Sequence, residues 1–126
     1  MTQAGAVALV TATVVAAVGA AELRAAVAEP PPARLQVGAD EFRYSLSRLR
    51  LRSGPAIVQL VNYGEDDHNL RLRRVGHRYT HRLPRTAPGG VSELRARFRP
   101  GTFALWCSVS GHAEAGMKAT LRVVKP

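Results

Sequence analysis

The segment Cys107-Ser-Val-Ser-Gly-His112-Ala-Glu-Ala-Gly-Met117 sets the chain's single thiol, an imidazole and a thioether in one C-x4-H-x4-M array. Thiolate, imidazole and thioether together make a soft, mixed ligand field, the kind that suits copper moving between its two oxidation states. Taken singly, each residue has a bland reading. A buried Cys or Met is most often a core filler, and a lone His is more often a satisfied core histidine than a ligand. The spacing is what gives each of them weight. One thiol cannot close an intramolecular disulfide. Structural zinc favours Cys- and His-rich sets, so a thioether at position 117 speaks for copper. The second imidazole is expected from His68, for a reason that lies in strand phase.

From Arg34 onward apolar residues recur mostly at every second position, between turns rich in Gly, Pro, Asn and Asp, as half-buried strands require. Phe42, Tyr44 and Leu46 alternate with Glu41, Arg43 and Ser45. Leu49 and Leu51 alternate with Arg48, Arg50 and Arg52, and Leu94, Ala96 and Phe98 with Arg95, Arg97 and Arg99. Residues 56–61 are apolar on both faces, which predicts a central strand ending at the Asn62-Tyr63-Gly64 turn. In the next strand His68 shares its face with Leu70 and Leu72, so it points into the core. By the same rule Cys107 follows Phe103 and Leu105 inward. Extending Leu121 and Val123 backwards brings Met117 to the mouth of the last strand. His68, Cys107, His112 and Met117 are therefore predicted to meet at one end of one core. Between Gly76 and Gly90 the alternation lapses, and this stretch reads as a surface excursion with His77 and His81 on a solvated loop. No phosphate-cradling glycine pattern and no serine nucleophile elbow is present.

With 126 residues, 46% of them hydrophobic and 21% charged, the chain is long enough for one small domain with a core of its own, and too ordered in composition for a disordered chain. The stretch from Ala4 to Ala21 carries no charge, and Ala26-Val27-Ala28 fits the small-residue pattern of an export cleavage site. Residues 1–28 are thus read as a signal peptide or membrane anchor, residues 29–33 as a Pro-rich spacer, and residues 34–126 as the domain. Loss of residues 1–28 would remove Glu22 and Arg24 together, so the net charge of +9 belongs to the domain. That charge creates a positive field that should steer acidic or anionic partners, without by itself settling which. Nucleic acid is not an expected partner, since the sequence offers no recognition helix and no evident aromatic stacking platform.

The stretches Asn62-Tyr-Gly-Glu-Asp-Asp-His68-Asn69 and Gly101-Thr-Phe-Ala-Leu-Trp-Cys107 through Met117 resemble the cupredoxin, or blue copper, family, and the resemblance extends from Arg34 to Lys125. The ligand-loop spacing is more like that of auracyanin and rusticyanin than the shorter loop of plastocyanin. The resemblance implies an all-β Greek-key sandwich holding one type 1 copper through His68, Cys107, His112 and Met117. It also implies that Asn69 locks the two ligand-bearing segments together, and that the ring edge of His112 is the electron port. The implied protein is an exported, periplasmic or membrane-tethered monomer that carries single electrons to acidic redox partners and turns over no substrate. The binuclear copper centre of cytochrome oxidase subunit II needs a second Cys where this chain has Gly111. Two other readings remain at this point: a copper storage or delivery protein, and a metal-free cupredoxin-like interaction module.

Overall fold

The computed structural model describes residues 1–13 and 28–126, so half of the export or anchor segment expected over residues 1–28 lies outside the described residues. Among the described residues no helix is long and apolar enough to cross a membrane. The chain falls into two compact units, Met1–Pro30 and Pro31–Pro126. All the strands among the described residues belong to the second.

They are β1 (Ala33–Asp40), β2 (Arg43–Leu46), β3 (Arg50–Arg52), β4 (Gly54–Asn62), β5 (His68–Arg74), β6 (Thr80–Thr86), β7 (Val91–Phe98), β8 (Gly101–Trp106) and β9 (Lys118–Val124). One sheet has the order β2-β1-β4-β7 and the other β3-β9-β8-β5-β6. The pairs β1–β4 and β3–β9 are parallel and the rest antiparallel, so the chain crosses repeatedly between sheets in Greek-key fashion. The inward residues follow the period of two: Leu35, Val37, Val58 and Leu60 from one sheet face Leu70, Leu72, Leu105 and Leu121 from the other, all buried. Ile57, predicted to be covered on the outer face of the central strand, is indeed buried although it lies outside the core cluster. Each of the four edge strands carries arginine: Arg43 on β2, Arg95 and Arg97 on β7, Arg50 and Arg52 on β3, Arg82 and Arg85 on β6. Charge there opposes pairing with a second chain.

Three sequence expectations are corrected. Leu49 is 70% exposed, because β3 begins at Arg50 and the alternation read through Arg48 starts too early. Phe42 is 39% exposed, since it sits in the turn between β1 and β2 and not on a strand. The supposed excursion over residues 76–90 contains β6, which pairs with β5 and seats Leu83 opposite Leu70. Pro84 lies where that register shifts, and β6 is an edge strand, the two places where proline is tolerated in a sheet. His81 consequently stacks on Phe98, with ring centroids 4.4 Å apart, while His77 is exposed as expected. Leu51→Ala should lower the stability measured by urea unfolding by about 2–5 kcal/mol. Leu49→Ala should change it by no more than about 0.5 kcal/mol; equal losses at the two sites would mean that both leucines are core residues.

Candidate metal centre

The three strand ends that carry the predicted donors meet at one pole of the sandwich. β5 begins with His68, β8 ends at Trp106 immediately before Cys107, and Met117 immediately precedes β9. Between Cys107 and Met117 the loop is closed by its own backbone. The Cys107 amide donates to Met117 O at 3.2 Å, the Met117 amide to His112 O at 3.1 Å, and the His112 amide to Val109 O at 3.0 Å. Such tight turning needs left-handed backbone, which Gly111 (φ 81°) and Gly116 (φ 105°) supply. Met117 is wholly buried in the same core cluster as Cys107, and its backbone is tied to both Cys107 and His112.

His68 Nδ1 stands 3.2 Å from His112 Nδ1, and Cys107 Sγ stands 3.6 Å from His112 Nδ1. All three donor atoms lie within 4.8 Å of one another, and all three residues are buried. Donors held about 2.0–2.3 Å from a single ion stand about 3–4 Å apart, so the spacing fits one metal ion. The outer nitrogens strengthen the case. His68 Nε2 donates to Glu41 Oε1 at 3.1 Å, and His112 Nε2 stands 3.6 Å from Asp66 Oδ2. The Glu41 carboxylate accepts only, so the His68 proton belongs on Nε2 and its Nδ1 lone pair is left for the centre, and the Asp66 carboxylate favours the same arrangement at His112. A paired imidazole set with one thiolate and an adjacent thioether is a copper donor set. Asn69 performs the locking that the resemblance implies: its Nδ2 donates to Ser108 Oγ and its Oδ1 accepts from the Ser108 amide, both at 2.8 Å.

No family model matches the chain, and no curated protein does so either. Solved structures do. Auracyanin A, a blue copper protein from the green thermophilic photosynthetic bacterium Chloroflexus aurantiacus, superposes with a TM-score of 0.61 at 17% identity, over 74% of this chain and 99% of its own. The dithionite-reduced auracyanin of the photosynthetic bacterium Roseiflexus castenholzii gives 0.57 at 16% identity, over 72% and 96%. An oxidised amicyanin variant gives 0.55 at 16% identity, over 72% and 82%. This chain has the cupredoxin fold. At such identities the likeness is one of architecture, and the donor cluster at the pole is this chain's own observation.

The cupredoxin pole also contains groups that alternation alone assigns to solvent. Glu41 was placed on the outward face of a strand, yet it sits in the β1–β2 turn and reaches across to the β4–β5 loop. Its Oε1 accepts from the amides of Glu65 at 2.8 Å and Asp66 at 2.7 Å as well as from His68. The Asp66 amide above all, aided by the His68 ring and the Glu65 amide, holds this carboxyl below its ordinary value against the opposing effect of burial. Gly64 makes room for it, since a Cβ there would lie 2.7 Å from Glu41 Oε2. Phe42 turns its edge to the His112 ring at 4.9 Å. Tyr44, whose inward phase was legible, donates its phenol to Asn69 O; burial first, then neighbouring Cys107, pushes that phenol up, so it stays a donor. A signal for Glu41 did exist, in its place one residue before an aromatic at a strand boundary, but no spacing rule links it to His68. Glu41→Gln should weaken Cu(II) binding by about 10–100-fold in competition with a chelator, the usual effect of losing an outer partner of a ligating histidine. Undiminished affinity would show the carboxylate to be dispensable.

Proposed function

We propose that the chain is a one-electron carrier that holds one type 1 copper through His68, Cys107, His112 and Met117. The observation that carries this reading is the buried His68-Cys107-His112 cluster, with its outward imidazole nitrogens facing carboxylates. When bound, copper supplies the exchange between Cu(I) and Cu(II). The chain's part is rigidity. Donors from β5 and from the 107–117 loop are clamped by Asn69 and Ser108, and stiff strands hold an arrangement tolerable to both oxidation states. Burial of every donor favours passage of electrons over turnover of a substrate. The side chain of His112 keeps 9% exposure and that of His68 none, which makes the His112 edge the route to a partner.

Export and an acidic partner belong to the same reading. The uncharged stretch before Ala21 and the Ala26-Val27-Ala28 triplet support delivery outside the cytoplasm. At the copper end of the five-stranded sheet, Arg71, Trp106 and Lys118 stand side by side in register on neighbouring strands, with the Arg73 guanidinium 5.3 Å from the Trp106 ring centroid. Their charge suits carboxylates on a redox protein. Adding Cu(II) to the chain should produce an intense visible charge-transfer band that disappears in Cys107→Ser. One copper should stay bound through repeated dithionite reduction and ferricyanide oxidation. A colourless protein would sink the copper reading, and transfer of the ion to an apo acceptor on reduction would replace electron carriage with copper delivery.

A further inference from the structure

The end of the sandwich away from the donors carries a second site. β5 runs from His68 to Arg74, about 20 Å at the rise of a strand. β8 returns from Phe103, which pairs with Leu121 and stands opposite Arg74. Here lies a cleft of about 340 Å³, a volume at the lower end of the range of small-molecule sites. Arg74, Arg97 and Arg99 line it, facing an aromatic wall of Tyr79, His81 and Phe103. Among the described residues, none that lines it is acidic.

The cleft is built, not incidental. Arg74 Nη1 donates to Pro100 O at 3.1 Å and Nη2 lies 3.2 Å from His77 Nδ1, which fixes the guanidinium plane. Gly101 leaves space for the arginine stem, for a Cβ there would lie 2.9 Å from Arg74 Cδ. On the opposite wall the His81 ring is held between Tyr79, edge-on at 4.9 Å, and Phe98, tilted by 32° at 4.4 Å. Burial pushes His81 below its ordinary value, so near neutral pH it offers a flat uncharged ring. Several guanidinium groups gathered round one hollow repel one another and concentrate a positive field inside it.

We propose that this cleft binds a small aromatic anion bearing a phosphate, of about the size of a mononucleotide. The planar guanidinium fork matches phosphate oxygens, and the ring wall offers a stacking face for a flat base. The inference is independent of copper, because none of the lining residues belongs to the His68-Cys107-His112 donor set.

Equilibrium dialysis of the full chain against AMP, inorganic phosphate and adenosine in parallel tests it. AMP should saturate at one per chain and bind at least about tenfold more tightly than either of its halves. Arg99→Gln and Tyr79→Ala alter exposed side chains, Tyr79 being 72% exposed, and each should weaken AMP about tenfold while the urea midpoint stays unchanged. Equal binding of AMP and phosphate, with Tyr79→Ala indifferent, would reduce the cleft to a cationic patch and overturn the proposal. Absence of saturable AMP binding up to about 1 mM would overturn it as well.

Discussion

Two imidazoles and a thiol cannot be buried together in an apolar sandwich unless their polar atoms find partners, because each unpaired buried polar group costs on the order of 1–3 kcal/mol. The pole of this domain is organised round that constraint. Among the described residues, no buried side-chain nitrogen or oxygen lacks a hydrogen-bond partner. Glu41 takes the outward nitrogen of His68, Asp66 stands by that of His112, and the three inner donors are turned toward one another. A cation shared by His68, Cys107 and His112 would satisfy the lone pairs that remain. The site is thus the means by which an otherwise costly polar pocket is accommodated, and its rigidity follows from the same contacts.

Those contacts depend in turn on chain paths that start far apart in sequence. Asn62 accepts from the Gly64 amide at 2.9 Å and donates to Asp66 O at 2.7 Å and Thr86 O at 2.9 Å, which shapes the loop before His68. Asn69 joins the segment after His68 to the one after Cys107. Tyr44 joins that clamp to β2. Loss of any one polar partner here would leave others unpaired, which is how buried polar networks come to specify a single arrangement.

What was legible in the sequence is what a period of two encodes. The inward phase of His68, Cys107, Leu121 and Tyr44 followed from alternation, and the buried cluster agrees with it. The C-x4-H-x4-M spacing placed His112 beside Cys107 for a local reason, the glycine-turned loop. Failures arose where phase carries no information. Leu49 and Phe42 are apolar at the correct interval but lie just outside their strands, so alternation continued past the point where the backbone turns. β6 buries Leu83 and Thr86 across a bulge at Pro84, and an irregular edge strand leaves too faint a pattern to read. Glu41 was missed for a different reason: its role is a tertiary contact to residues more than twenty positions away, which its place at a strand boundary does not reveal.

The charge that first distinguishes the chain is divided along the sandwich. The donor pole presents the carboxylates of Glu41 and Asp66 to the two histidines, whereas Arg74, Arg97 and Arg99 gather at the far pole and Arg43, Arg50, Arg52, Arg82 and Arg85 lie on edge strands. In the proposed role, a net +9 would draw an acidic partner from a distance. Within a Debye length of about 10 Å, however, local groups govern, and carboxylates beside His112 repel an acidic patch laid directly over it. Under the proposed reading, productive docking would need a partner whose acidic groups meet Arg71, Arg73 and Lys118 on the five-stranded sheet while a less charged surface covers the His112 imidazole. Long-range attraction and close-range selection are set by different residues, and for an electron carrier the second would decide where an electron leaves.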